Sequence, residues 1–325
     1  MLVYIFRRLL LGISVMFGVI VVTFSIFFLG PNDPAGAICG EQCTAERYES
    51  VVKSLGLDKP KTEQFTTYTK GLFVGTETEV RKCDAPCLGW SYIQNRPVTD
   101  MVLEALPVTT SLIAGGVIVY VSIALLFGVL AARHRATWID RTIVTVSQLI
   151  GSVPYFVIAL LFYLYVMVIW GVLPRPEYSP ISDGPIQWAI GMSGVWLFWG
   201  GVASCSYIRY VRASMIDTQN QDYVRTARSK GLSERTISVK HALRAAIAPF
   251  VTLVGLNVGL EFAGSIFTET IFNINGMGNL AIDSFNTGDL PVIAGVVLVG
   301  AFFVVTLNLI VDLLYGVVDP RVKLS

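Results

Sequence analysis

Long uncharged stretches alternate with short charged ones along this chain, and that alternation carries most of its information. Leu9–Leu29, Ala105–Ala132, Thr142–Leu173, Ile186–Ile208, a stretch from about Ala245 to Thr268, and Leu290–Val311 are six apolar runs. A hydrocarbon core needs about 20 apolar residues to be crossed as a helix, so the pattern predicts six spanning helices. Pro154 inside the third run predicts a kink, because a proline removes a ladder hydrogen bond and clashes with the preceding turn. Residues 31–100 are instead polar and turn-rich, and at that length they predict a small folded insertion rather than a loop. The longest polar run of the second half, Tyr207–Pro249, has apolar residues at every third or fourth place on either side of Gly231-Leu232-Ser233. That spacing predicts two short helices meeting at a glycine turn. Helices this short need a surface to dock on, so a platform on which a soluble partner presses is expected there.

Composition agrees with the pattern. Hydrophobic residues make up 54% and charged residues 14% of 325 residues, with a mean hydropathy of +0.63. Soluble domains carry about 25% charged residues. The net charge of +1 gives no global field for nucleic acid. Arg7 and Arg8, the arginines at 133, 135 and 141, the eight basic residues of the platform, and Arg321 with Lys323 fall on one side if the N-terminus is cytoplasmic. Lys and Arg near span ends mark the cytoplasmic side, so both termini and the platform are expected inside. The first run exceeds the 7–15 apolar residues of a cleaved signal and reads as an uncleaved span. Membrane lipid is then an obligatory neighbour.

Candidate chemistry is sparse. Cys39, Cys43, Cys83 and Cys87 bracket the insertion, on the side expected to be oxidising, where disulfides persist. Three pairings are open to four cysteines. Zinc is the alternative for closely spaced thiols, but His134 and His241 are both expected inside, and no metal site is expected. No phosphate-binding G-x-x-x-x-G-K-[ST] occurs, so any ATP hydrolysis belongs to another chain. Glu261 follows Asn257 by four residues on one helical face. A carboxylate within a membrane span is a functional hypothesis by default: the pair is expected on a translocation wall, with Glu261 meeting a substrate ammonium or a partner helix, the alternative being a carboxylate that snorkels to an interface or pairs with an interhelical donor. An embedded enzyme would need a constellation of His, Asp or Ser on facing spans, and the histidines lie at or beyond span ends.

Asp222–Pro249 reads DYVRTARSKGLSERTISVKHALRAAIAP. This resembles the cytoplasmic loop E-A-A-x3-G-x9-I-x-L-P of ABC-transporter permeases, with Arg225-Thr226-Ala227 at the E-A-A position, Gly231 kept, and His241-Ala242-Leu243-Arg244 at I-x-L-P. VYIFRRLLLGISVMFGVIVVTFSIFFLGPNDPAG, NRPVTDMVLEALPVTTSL, ETIFNINGMGNL and VDLLYGVVDPRVK extend the resemblance over nearly the whole chain. The match is to the B-type permease subunit of oligopeptide and dipeptide importers. The resemblance implies an all-α polytopic fold of the type I ABC importer kind: residues 1–30 as the first span, 31–100 as an extracytoplasmic insertion, and 101–325 as the permease domain in a bacterial inner membrane.

The resemblance further implies a homologous second permease subunit, two ATPase domains that hold ATP and magnesium, and an extracytoplasmic peptide-binding protein, with no cofactor and no catalysis in this chain. Ala227, Gly231, Leu232, Ser233, Glu234, Arg235 and Thr236 would form or adjoin the helix seated on an ATPase. In that seat Ala227 and Gly231 would permit close approach, Leu232 would anchor in a pocket, and Glu234 with Arg235 would set the register. The family's recurring acid in the fifth span falls on Glu269 rather than Glu261. Importers of nickel, opines or glycosides share these motifs, and an ion-driven carrier is the alternative of a different class.

Overall fold

A computed structural model of the chain describes residues 2–29, 34–39, 43–77, 82–91 and 93–318. Arg321 and Lys323 lie outside them, as do the side chains of Arg235, Lys240 and His241. In chain order the elements are α1 (Leu2–Leu29), α2 (Pro34–Cys39), α3 (Ala45–Leu55), α4 (Lys61–Val74), β1 (Thr76–Glu77), β2 (Lys82–Cys83), β3 (Trp90–Ser91), β4 (Arg96–Pro97), α5 (Val98–Arg133), α6 (Trp138–Ser152) and α7 (Tyr155–Phe162). They continue with α8 (Pro185–Gln219), α9 (Asp222–Ser229), α10 (Glu234–Thr236), α11 (Leu243–Phe272), α12 (Met277–Thr287) and α13 (Leu290–Val318). Two π-helical stretches, Tyr163–Ile169 and Ile237–Ala242, prolong α7 and join α10 to α11. Helices suit hydrocarbon because they satisfy every backbone group internally. Among the described residues five helices are long and apolar enough to span a membrane, and six if α6 and α7 with its extension count as one.

Two expectations change. The third apolar run is broken rather than kinked: α6 and α7 meet at 95°, with Val153 extended and Pro154 preceding α7. A residue before proline is pushed out of the helical region, and here the chain turns a corner. The platform is not two short helices either. α8 continues unbroken to Gln219, α9 alone stands as a separate short helix, and the three-residue α10 runs on through the π-helical stretch into α11, so the fifth span starts at Ile237 rather than Ala245.

The chain forms two compact units. The first comprises Met1–Thr109 with Asn275–Leu309. Here Phe24 of α1 meets Phe65 and Tyr68 of α4 with ring centroids 5.1 and 5.9 Å apart, which seats α4 of the insertion on the first span. Leu88, Val98, Met101, Val102, Met277 and Val292 form a buried core. The buried Ser91 hydroxyl of β3 donates to Asp289 Oδ2 at 2.5 Å, tying a hairpin to the start of α13, and burial pushes the Asp289 carboxyl above its ordinary value. The cysteines pair locally as Cys39–Cys43 and Cys83–Cys87, so each bridge closes a short loop rather than stapling the ends of the insertion together.

The second unit comprises Thr110–Ile274 with Ile310–Ser325. Its α5–α8 contact is made by small residues, as in membrane bundles generally. A side chain at Gly115 would collide with the Trp196 ring, and one at Gly116 with Trp199, while Trp196 Nε1 donates to the Ser111 carbonyl at 2.9 Å. Tyr120 and Tyr207 stack with centroids 4.7 Å apart, inside a core that includes Val211, Met215, Ala246 and Phe250. The buried Asp140 carboxylate of α6 receives Arg212 of α8 at both oxygens, 2.5 and 2.7 Å, and the Ala136 amide at 3.0 Å. Arg212, counted above as platform charge, is thus spent on holding α6 to α8.

Non-reducing peptide mapping is expected to recover the Cys39–Cys43 and Cys83–Cys87 linkages, and a Cys39→Ser/Cys43→Ser double variant should lose about 2 kcal/mol, since so short a loop restricts the unfolded chain little. Asp140→Ala should cost about 3 kcal/mol in thermal unfolding of the detergent-solubilised protein, because it leaves the Arg212 guanidinium without its partner.

Candidate coupling element and translocation-wall site

The coupling candidate is built from α9, the turn after it, and the start of α10. α9 ends in a closure that needs glycine: the Leu232 amide reaches the Ala227 carbonyl at 3.4 Å, the Gly231 amide reaches Arg228 at 3.0 Å, and Gly231 sits at φ 77°. Those two bonds with a left-handed residue between them form a Schellman closure. The next helix opens on Ser233, whose hydroxyl accepts from the Thr236 amide at 3.3 Å, an N-cap that satisfies an otherwise orphaned donor. Arg228 crosses the turn to Glu234, with Nε–Oε1 at 2.7 Å and Nη2–Oε2 at 3.2 Å. That fork holds the Glu234 carboxyl below its ordinary value.

The residues expected at the partner surface divide. Gly231, Leu232, Ser233 and Glu234 are exposed, and Leu232 presents an apolar side chain to solvent at 40%. Ala227 is not available for a partner's approach: it is buried with Val224 and Ile237 in a small core that fastens α9 to the helix after the turn. Its smallness serves that internal packing. Glu234, expected to set register with a partner, already has one in Arg228. Immediately after this element the helix widens into the π-helical stretch Ile237–Ala242, a local irregularity often found at functional places.

The second candidate lies between α8 and α11. A cavity of about 540 Å³ is lined on α8 by Trp199, Ala203, Ser206, Tyr207 and Tyr210. On α11 it is lined by Leu253, Asn257, Leu260, Glu261 and Gly264. Asn257 and Glu261 thus come together as expected. Both helices contribute at the same spacing, positions i, i+4, i+7, i+8 and i+11, which is one face of a helix. A smaller cavity of about 270 Å³ shares Tyr210 and runs past Ser214 and Asp217 to Gln221, the residue that precedes α9. Glu261 Oε2 and the Tyr120 hydroxyl, which interact with each other, are buried and meet no well-formed hydrogen-bond geometry among the described residues. Glu269, the acid singled out by resemblance, is fully buried in α11 and does not line this cavity. The aromatic wall at Trp199, Tyr207 and Tyr210 went unpredicted, although its helical spacing was present in the sequence. Among the described residues no three His, Cys, Asp or Glu side chains gather as metal ligands.

Several long apolar helices, one broken pair, and a capped polar element between two of them define a multi-pass membrane protein. Residues 124–324 match the family described as binding-protein-dependent transport system inner membrane component, and residues 1–113 match the N-terminal region described for such membrane components. The chain belongs to this family. It is 34% identical over 323 residues, 98% of each chain, to a Brucella abortus (strain 2308) protein whose name describes a peptide transport system permease. It is 33% identical over 347 residues, 99% of each chain, to the dipeptide transport system permease protein DppB of Escherichia coli (strain K12). A Sinorhizobium fredii protein named as a probable peptide ABC transporter permease is 32% identical over 327 residues, 99% of each chain.

The Arg228–Glu234 fork carries a pH dependence. Because the carboxyl is lowered in the folded chain, its contribution is present above the ordinary glutamate range and is lost as pH falls through the lowered folded value. Amide exchange at Leu232 and Thr236 should therefore accelerate on acidification beyond its intrinsic pH dependence, and Glu234→Gln should remove that extra acceleration. Gly231→Ala should loosen the same amides by about 1 kcal/mol, the cost of a side chain in the left-handed region.

Proposed function

We propose that the chain is the permease subunit of an ATP-driven peptide importer and forms half of the translocation pathway. The observation that carries this reading is full-length similarity to proteins named for peptide and dipeptide transport. In this reading a homologous permease subunit supplies the other half, two ATPase domains bind and hydrolyse ATP with magnesium, and an extracytoplasmic binding protein delivers the peptide. The chain itself performs no covalent chemistry and holds no cofactor. Both termini face the cytoplasm, and residues 31–100 face the binding protein.

The mechanism follows from the mechanical path through the second unit. Leu232 and the backbone around Gly231 dock on an ATPase domain, with Ser233, Arg235 and Thr236 beside them. The Schellman closure, the Ser233 cap and the Arg228–Glu234 fork make the element stiff enough to transmit a displacement rather than absorb it. Gln221 joins α9 to α8, and the π-helical stretch joins the turn to α11, so a push on the turn is delivered to the two helices that line the cavity with Asn257 and Glu261. ATP binding closes the ATPases and turns the cavity outward. Hydrolysis resets it.

Reconstituted with its partners, the complex should take up peptide only with ATP. Leu232→Asp should abolish peptide-stimulated ATP hydrolysis or ATPase co-purification while leaving the permease folded. Uptake unaffected by Leu232→Asp would place the motor contact elsewhere, for example between α5 and α6.

A further inference from the structure

Resting on the import reading above and deepening it, we propose that the α8–α11 cavity is an ammonium site that receives the free amino terminus of the transported peptide. The juxtaposition behind this is a buried carboxylate oxygen, Glu261 Oε2, with no well-formed hydrogen bond among the described residues, in a cavity whose opposite wall carries Trp199, Tyr207 and Tyr210. Aromatic faces attract cations through their ring quadrupoles, most strongly when water is excluded. A carboxylate within an apolar span is costly unless something pairs with it. Among the described residues no Lys, Arg or His lines this cavity, and the group beside the carboxylate is the neutral Tyr120 hydroxyl, so the place of a cation at Glu261 is open to a ligand.

Three further features fit an ammonium better than a bare metal ion. Metal ions such as calcium are held by several oxygen ligands together, whereas Glu261 is the single carboxylate among the described lining residues. Asn257, one turn from Glu261, and Ser206 add neutral acceptors suited to N–H donors. The volume of about 540 Å³ leaves room beyond the ammonium for the residues that follow it. The aromatic wall is itself held in place: Tyr207 is stacked on Tyr120 and meets Phe250 edge-on at 6.0 Å, and Trp199 lies over Gly116. A preorganised site loses less on binding than one that must assemble around its ligand. Apolar side chains such as Leu253 and Leu260 offer the rest of a peptide nonspecific contact, so the amino terminus would be gripped and the sequence left unread.

The test uses the whole complex in proteoliposomes with its binding protein, and two probes, trialanine and N-acetyl-trialanine. The binding protein is common to all variants, so its own preference cancels when variants are compared. Glu261→Gln is expected to lower the ratio of trialanine to N-acetyl-trialanine uptake at least about tenfold, the scale of losing a buried charge partner, and Glu261→Asp should recover part of it. Tyr210→Leu should lower the ratio in the same direction. An unchanged ratio in Glu261→Gln overturns the ammonium site while leaving the import reading intact. Loss of the second permease subunit from both Glu261 variants also overturns it, because the carboxylate would then serve a helix contact. Absence of ATP-dependent uptake by the unaltered complex sinks the import reading and this site together.

Discussion

Hydrocarbon offers a peptide backbone no hydrogen-bond partner and a charge no counter-ion. That constraint governs this chain more than any single contact. It forces the apolar runs into helices long enough to cross, and it makes a charge buried in or beside a span costly unless something answers it. Asp140 and Arg212 are the paired case: buried charge is tolerable because a two-pronged contact and a backbone amide answer it. The result is a cross-tie between α6 and α8 at the place where the third apolar run begins. Glu261 is the other case, a carboxylate in the α8–α11 cavity that faces the neutral Tyr120 hydroxyl and has no cation beside it among the described lining residues.

The same constraint explains where irregular structure occurs. The corner at Pro154 breaks a span, whereas the π-helical stretch after the capped turn carries the helix on into one. Both lie in the unit that also carries the cavity and the coupling candidate. Close helix contacts in that unit are made where glycine removes the side chain, as at Gly115 under Trp196. Apolar surface alone provides little drive for association between helices already in lipid, so fit and a few polar ties do the holding. The local disulfides in the other unit constrain only their own loops, and the insertion there is held by aromatic contacts to α1, by the core around Leu88 and by the Ser91–Asp289 hydrogen bond.

Much of this architecture was legible from the chain. Runs of about 20 uncharged residues have few alternatives to spanning helices, and Gly231 followed by Ser233 is a stop signal followed by a start signal, which the turn obeys. Asn257 and Glu261, one turn apart, had to share a helical face. What lay beyond local pattern was partnership. Nothing local distinguishes Arg212, spent on Asp140, from the other arginines of the platform, because the two residues are far apart in sequence and meet only through helix packing. Ala227 illustrates the same limit: small residues suit both a docking surface and an internal seam, and only its burial against Val224 and Ile237 decides for the seam.

The sequence by itself determined the class of structure, the number of apolar runs and the location of the capped turn, because solvent and backbone chemistry act on each segment separately. Tertiary structure alone decided the rest. It paired the cysteines locally, turned a kink into a corner, merged a short helix into the fifth span, and set Trp199, Tyr207 and Tyr210 across a cavity from Glu261. Those outcomes depend on which faces meet when helices pack, a property of distant residues together and of none of them alone.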